Sequence, residues 1–369
     1  MKRALALLLA AAPAAAQEPS DNQYFQRADE KFSFEIKGDA LARAEWTQDI
    51  FVTASQFRDE DRQRLQLRPR LEVGLGPVLL GLGGEFNYSS DENTEAPGSA
   101  ALIRDNYDSR DARVDLAFAD IQPVSWFRLQ GGRFVMPLPF TEMIWDRDLR
   151  AQGAALTLGV KDRGSLKSLG ITGLWSKGSH VFDDADTTLL SVGVDAEFTV
   201  SESARLELFG AYLDFSEIRS MAANIRRQNT RLVGQFVFDY QVVDAVVRLR
   251  FSGRVPAQLV GDFCWNTDVE NDRQGIWAAA SLGSLSRTRV RAEYTFASVD
   301  KDATLAAYPT DDFFWQTGWE GHRGDLGVRL VDKLSLHGVG QVERFKDSPR
   351  PEERDHWNKR IRAELRYNR

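Results

Sequence analysis

From Arg64 to Leu75, RLQLRPRLEVGL, apolar and polar residues change places at almost every step. Leu65, Leu67, Leu71, Val73 and Leu75 fall on one face and Arg64, Gln66, Arg68, Arg70 and Glu72 on the other, the two-residue period of a strand with one apolar and one charged side. The alternation runs through 32–46, 64–75 and 78–88 and recurs near 112–120, 126–134, 151–161, 166–176, 188–200, 204–214, 229–240, 243–253, 273–283, 287–297, 323–332, 333–345 and 357–367. Most of these segments approach the ~9 to 11 residues that a tilted strand needs to cross a bilayer. Short turns fall at 74–77, 122–125, 161–165, 201–204, 241–243, 283–286 and 332–333, and the connections between them are long and hydrophilic. One tight end and one elaborate end predict an all-β transmembrane antiparallel β-barrel of about 16 strands, with short periplasmic turns and long extracellular loops. Closure leaves no unpaired strand edge in hydrocarbon.

The competing all-strand reading is a periplasmic sandwich. A sandwich core would be apolar where these strands place Arg64, Arg68, Arg70, Arg248, Arg250, Arg287, Arg289, Arg291, Arg360, Arg362 and Arg366. Inward arginines in such number require a water-filled interior, and they are the expected basic lining of a pore. Hydrophobic content of 43% and a mean hydropathy of −0.38 are those of a soluble protein, but a barrel hides the same composition because only alternate residues meet lipid. After residue 16 no apolar run reaches the ~18 residues of a spanning helix.

The N-terminus reads as an export signal: Lys2 and Arg3, an apolar run from Ala4 to Ala12, and small residues at Ala14 to Ala16 before Gln17. The expected division is a signal peptide at 1–16, a short periplasmic segment at 17–31 and the barrel from 32 to 369. Loss of Lys2 and Arg3 takes the formal charge from −7 to −9 (−7 − 2), which gives no reason to expect nucleic acid as a partner. The single cysteine, Cys264, has no intramolecular disulfide partner.

One connection departs from the rest. In RFVMPLPFTEMIWDRDLRAQG, Arg133 to Gly153, Pro137 and Pro139 stiffen the entry. Met136, Phe140, Met143, Ile144 and Trp145 are apolar, and Glu142, Asp146, Arg147, Asp148 and Arg150 are charged. Fully exposed, this segment would form an unusual apolar patch. As the third external loop, it is expected to fold inward, apolar side chains on the wall and charged ones toward the pore. Glu142, Asp146 and Asp148 should then face wall arginines, Arg68 and Arg70 on strand two or Arg289 and Arg291 on strand thirteen.

The same stretch, with RVDLAFADIQPVSWFRLQ before it, resembles the bacterial outer-membrane putative porin family, in which a G-R-x-x-x-P-[FL] element leads into W-D-x-D-L; GHRGDLGVRLVDKLSLHGVGQVERF is a second echo. A more distant likeness to phosphate-selective porins rests on G-R-F-x-x-P. The resemblance implies a constriction by the inward loop and a general diffusion porin in the Gram-negative outer membrane. It also implies a homotrimer, outer-membrane lipid and lipopolysaccharide as surroundings, barrel assembly machinery as a partner, and small hydrophilic solutes as cargo. The other function class is a selective channel or exporter for anions such as phosphate or uronate polysaccharide. Barrels of this kind normally end in an aromatic residue, whereas this chain ends Tyr367-Asn368-Arg369, with Tyr367 on the apolar face.

No cofactor, metal or catalytic motif stands out. The histidines are His180, His322, His337 and His356, with no H-x-x-x-H, no G-x-S-x-G and no cysteine cluster. Ser335 and His337 share one strand face and are expected to line the wall. Acids are placed in the loops: Asp49, Asp59, Glu60 and Asp61 in the first, Asp91, Glu92 and Glu95 in the second, Asp183, Asp184 and Asp186 in the fourth, Asp300, Asp302, Asp311 and Asp312 in the seventh. They read as a solvated rim, with calcium or magnesium binding as the sharper alternative. An interfacial aromatic girdle is expected from Trp46, Tyr88, Phe118, Trp126, Trp175, Phe198, Tyr240, Tyr294, Trp357 and Tyr367.

Overall fold

The computed structural model describes residues 32–53, 56–90, 110–178, 187–218, 229–232, 235–310, 312–313, 316–346 and 351–368. The signal peptide and the 17–31 segment lie outside them, as do Asp91, Glu92, Glu95, His180, Asp183, Asp184, Asp186 and Asp311. The barrel strands are β1 (Ser33–Thr53), β2 (Gln56–Leu75), β3 (Val78–Ser89), β4 (Arg110–Val124), β5 (Phe127–Val135), β6 (Arg150–Arg163), β7 (Leu166–Lys177) and β8 (Thr188–Ser201). They continue with β9 (Ala204–Ser216), β10 (Tyr240–Phe251), β11 (Ala257–Asn266), β12 (Gln274–Ser284), β13 (Val290–Val299), β14 (Trp319–Val331), β15 (Leu334–Phe345) and β16 (Asn358–Asn368). Each pairs antiparallel with its sequence neighbour, and β16 returns to β1 from Asp39↔Asn368 to Gln48↔Lys359, closing the barrel. One short helix, Pro351–Arg354, precedes the last strand.

The alternation sets the two faces. Along β2, Arg64 and Gln66 are buried inside while Leu65, Leu67 and Leu71 are exposed outside, as lipid-facing residues are in the absence of lipid. Trp46, Tyr88, Trp126, Trp175 and Tyr294 of the expected girdle are exposed on the outer surface. Tyr240 is a correction: it is fully buried, its hydroxyl donating to Asp302 at 2.7 Å. A bulge at Gly83/Gly84 breaks the β3–β4 register, and Asp115 and Leu116, adjacent in sequence, are both buried there. Leu67→Arg should destabilise the barrel by ~2 to 4 kcal/mol, because it puts a charge in hydrocarbon. Gln66→Arg faces the Glu85 carboxylate that Gln66 already meets at 2.9 Å and should be tolerated. Urea unfolding in lipid vesicles measures both, and equal effects would invert the assignment of faces.

Two segments were misplaced by the pattern. Among the described residues of 229–239 the regular structure is a two-stranded ribbon, Arg231–Leu232 with Gln235–Phe236, and the tenth strand starts at Tyr240. The tight turn after it lies at 252–256 rather than 241–243, and Ala257–Asn266, read as a loop, is the eleventh strand. Its polarity signal is weak because Val260 and Cys264 share its inner face with Asp262, under a loop that packs on that wall. The first hairpin is also longer than expected, so Asp59 and Asp61 belong to β2 rather than to a loop.

Candidate functional site: the lumen and the segments that enter it

Pro137 lacks an N–H and Pro139 follows two residues on, so the β5 ladder cannot continue past Val135. From there the chain steps along the inner wall. Leu138 lies over Gly193 of β8, where a Cβ would come within 2.5 Å of its methyl group. Phe140 meets Phe209 of β9 edge-on at 5.3 Å. The Pro139 carbonyl accepts a hydrogen bond from Arg248 of β10, and the Thr141 hydroxyl donates to Asp262 of β11. Met143 reaches Gly275 of β12 beside the buried Cys264. Glu142 meets Arg323 of β14 at 2.8 Å and Asp148 meets Arg68 of β2 at 2.5 Å. Arg150 returns to Asp115 of β4 at 3.0 Å.

A second segment joins it, which the sequence reading placed at a solvated rim. Between β13 and β14, Ala303, Leu305, Ala306, Ala307, Tyr308 and Phe313 are buried. Asp302 binds no solvent rim: its carboxylate takes the Thr230 backbone N–H at 2.9 Å, the Thr230 hydroxyl at 2.5 Å and the Tyr240 hydroxyl. Tyr308 packs on Trp145 at 5.2 Å and on Phe215 at 5.0 Å, and its carbonyl accepts from the Asp146 backbone N–H at 2.7 Å. Phe313 stacks on Trp319 at 4.2 Å. The missed signal was the apolar run ATLAAY between the acids that were noticed. The patch argument applied to the third loop covers it equally.

Charge is concentrated where the two segments meet the wall. Glu142 lies 3.0 Å from Arg147 and 2.8 Å from Arg323; Asp312 lies 2.5 Å from Arg362, 3.2 Å from Arg43 and 3.7 Å from Arg323. Burial works against ionisation of Glu142, but Arg147 and Arg323 outweigh it and hold the carboxyl below its ordinary range. Burial likewise opposes, and Arg68 with Arg150 overcomes, for Asp148. For Asp312, burial is outweighed by Arg362, Arg43 and Arg323, which hold it well below that range. Arg147, with 78% of its side chain exposed, is held protonated more firmly by Glu142. Because the folded pKa values lie below the ordinary ones, about 3.9 for Asp and 4.3 for Glu, the stability these carboxylates contribute is complete above the ordinary values and is lost as pH falls through the folded ones. Single-channel conductance should therefore be steady through mildly acidic pH as far as these ties are concerned, and should change below about pH 4 as they release. A change between pH 7 and 5 that survives Glu142→Gln and Asp148→Asn would come from other groups.

The expected partners are partly redistributed. Arg68 meets Asp148, but Glu142 meets Arg323 on β14 rather than Arg289 or Arg291. Asp146 turns its carboxylate to the Asp148 backbone N–H at 2.8 Å. Arg287 and Arg289 lie in the tight turn between β12 and β13, and Arg291 pairs with Glu293 at 2.5 Å. Arg70 pairs with Glu72, and Arg248 and Arg250 share Glu207. Arg64, Arg360 and Arg362 are buried, Arg360 with Glu45 at 3.5 Å and Arg362 with Asp312. The inward arginines were expected to need water; many are matched by carboxylates instead, Glu45 on the polar face of the first strand among them and Glu207, which pattern reading overlooked.

Ser335 and His337 are aligned with a third group. Ser335 Oγ is 3.0 Å from His337 Nε2, and His337 Nδ1 is 2.7 Å from Asp325 Oδ1, while Arg366 holds the other Asp325 oxygen at 3.1 Å. The order is that of a nucleophile, a base and an orienting acid. Yet Ser335 is only 5% exposed and is laddered on both sides. Among the described residues no group of three or more His, Cys, Asp and Glu side chains is placed to hold a metal ion.

In comparisons with solved structures, the fold is similar to that of OprB from Pseudomonas putida, determined at high pH. The TM-score is 0.59 at 9% identity, covering 91% of this chain and 93% of that one. It is also similar to Salmonella typhi OmpF in complex with daunomycin, with TM-score 0.55 at 13% identity, covering 91% and 97%. At these identities the likeness is one of fold. No curated protein sequence matches the chain. Residues 21–311, most of the length, match the family described as "Putative porin", and with its sixteen-stranded closed barrel this chain belongs to that family.

Proposed function

We propose that the protein is an outer-membrane channel for passive diffusion of small hydrophilic solutes, with a modest preference for anions, exported by cleavage of residues 1–16 and assembled as a homotrimer. Family membership and the closed barrel support the channel itself. The observation that carries the finer reading is the segment 136–149, anchored to the inner faces of strands from β8 round to β2 and presenting Arg147 to solvent among wall arginines. The guanidinium groups of Arg43, Arg68, Arg147, Arg323 and Arg362 are matched by Glu142, Asp148, Asp312, Asp39 and Glu364, but of these charges Arg147 is by far the most open to solvent, at 78% exposed, and no carboxylate of the set exceeds 36%. Local charge governs a narrow passage, because screening confines each charge to about 8 Å at physiological ionic strength. The loop acids that make the whole chain negative therefore weigh little at the constriction.

Planar-bilayer recordings under a salt gradient test this. The combined change Arg68→Glu and Arg70→Glu should move the reversal potential toward cations. An unchanged potential would remove β2 from the selectivity path. The same recordings address the second reading, a selective channel for anions such as phosphate or uronate polysaccharide, which the arginine-rich sector of Arg43, Arg62, Arg360 and Arg362 favours. Block of the current by millimolar phosphate or oligouronate would support it, and an ohmic, unblocked current would support general diffusion.

A further inference from the structure

The lumen wall around Ser335 is built in two rows. Across β14, β15 and β16, Arg329, Ser335 and Arg366 are successive cross-strand partners, and next to them so are Gly327, His337 and Glu364. Partners in such a row have Cβ atoms about 5 Å apart, so Ser335 stands between two guanidinium-bearing side chains. Arg329 is steadied by a hydrogen bond from Nη1 to the Ser286 carbonyl oxygen at 3.0 Å, and Arg366 by Glu364 at 2.5 Å and Asp325 at 3.1 Å. Gly327 makes room for the imidazole, since a Cβ there would lie 2.5 Å from His337 Cε1. The ring can therefore lie toward β14, where its Nδ1 meets Asp325 at 2.7 Å.

These contacts fix where the protons sit. The Asp325 carboxylate, with Arg366 on its other oxygen, accepts hydrogen bonds and offers none, so the proton between it and the ring belongs to His337 Nδ1. Nε2 then keeps its lone pair and faces Ser335 Oγ at 3.0 Å. That is the tautomer in which a histidine draws the proton from a serine hydroxyl. The location suits a passing solute. Ser335 is the second residue of β15, at the short-turn end, and Arg323 of the constriction lies six residues from Arg329 along β14, about 20 Å away at the rise of a strand. A solute that has cleared the constriction meets this wall next. The small exposure of Ser335 limits what can approach it to a small acyl group.

We infer that Ser335 is an acyl-accepting nucleophile and that this wall hydrolyses small esters carrying an anionic group. Ser335 Oγ bonds to the acyl carbon as its proton passes to His337 Nε2, and Asp325 orients and stabilises the imidazolium. The negative charge that develops on the acyl oxygen lies between Arg329 and Arg366, fixed cations that need no rearrangement to meet it. The bond from the acyl carbon to the alcohol oxygen then breaks, and that oxygen leaves with the electron pair and the proton held on Nε2. Water, giving its proton to His337, attacks the acyl-serine and releases the carboxylic acid, which restores the hydroxyl. Asp325 is a positioning residue here, and Ser335 and His337 are the catalytic ones. The same two arginines select the substrate, because an anionic group beside the ester gains a charge-assisted hydrogen bond from the guanidinium next to it.

The protein purified in detergent tests this with 4-acetoxybenzenesulfonate as the anionic ester and 4-acetoxybenzenesulfonamide as its neutral counterpart. Release of the phenol is followed in solution, and the acetylated protein is mapped by peptide mass spectrometry. The wild type should release a burst of phenol and carry the acetyl group on Ser335 in preference to Ser165 and Ser203, which are exposed in turns at the same end of the barrel. S335A should abolish the burst, and H337Q should slow it by about 100-fold, the lower end of what a positioned general base supplies. The wild type should react about ten-fold faster with the sulfonate, in keeping with a charge-assisted hydrogen bond, and R329Q should lose that preference. Acetylation of Ser335 no faster than of Ser165, or a burst undiminished in H337Q, would overturn the nucleophile; equal rates with the two esters in the wild type would overturn the substrate class. If H337Q does not close into a barrel, as read by its heat-modifiable mobility, the comparison of serines in the wild type decides alone. Channel conductance is recorded separately, so failure here leaves the diffusion reading untouched, and failure of that reading leaves this one.

Discussion

Deletion of Thr141 through Asp148 should raise single-channel conductance and strengthen anion preference. The deleted stretch holds the groups that tie the segment to β11, β12 and β14 and to Arg68 of β2. Without it, the shortened chain from Val135 to Arg150 has nothing with which to cross to those strands, and the aqueous cross-section widens. Selectivity shifts at the same time because the deletion removes three carboxylates, Glu142, Asp146 and Asp148, against one cation, Arg147, while Arg68 and Arg323 stay on the wall. Low-dielectric walls focus the field of those two cations on the passage. The measurement is conductance and reversal potential in planar bilayers, with heat-modifiable mobility as the check that the barrel still closes. Unchanged conductance would place the segment outside the conduction path and leave its apolar content to be explained by a subunit contact.

The second large effect is expected from Asp312→Ala. Its carboxylate is bound by Arg362 and Arg43 and approached by Arg323, and these guanidiniums are each at most 9% exposed. Truncation leaves buried cations without their shared anion, and breaking a buried pair from one side costs roughly 3 to 5 kcal/mol. Because Asp312 is itself 27% exposed, solvent can reach the gap, and the lower end, about 3 kcal/mol, is the better expectation. Glu364 also contacts Arg43 and Arg362 and limits the damage. The melting temperature in detergent should fall clearly relative to Asp300→Ala, whose partner Lys346 is more exposed. A loss no larger than that of Asp300→Ala would show that Glu364, on Arg43 and Arg362, and Glu142, on Arg323, hold the cluster without it.

The barrel was legible because its evidence is repeated: a strand such as β2 alternates without exception over Arg64 to Leu67 and again from Arg70 to Leu75, and its neighbours do the same. Where one face lost its polarity, legibility went with it. On β11 the inner face must be apolar in places to receive Met143 and its neighbours, so the pattern there no longer separated strand from loop. The third loop declared itself through its own composition, and Arg68 with Asp148 was within reach of simple placement. Arg323 was not, because its position opposite Glu142 depends on how far the loop travels round the wall, which no local pattern encodes. The inward course of 300–310 was missed for a different reason: attention to Asp300, Asp302 and Asp312 as solvated charge overlooked that a carboxylate among Ala303, Leu305 and Tyr308 needs buried partners.

The seam between β1 and β16 bears on how the barrel comes into being. Its hydrogen bonds join the two ends of the chain, and on the lumen side it carries Arg43 against Glu364 and Glu45 against Arg360. Contacts between such distant parts of a chain are the slowest to form, since loop-closure entropy must be met before they reward it. Until the seam shuts, these four charges face water and cost little; once it shuts, reopening would have to separate ion pairs that solvent barely reaches. The last step of assembly is thereby also the hardest to reverse, and the lifetime of the finished barrel is set by a clasp made from its first strand and its last.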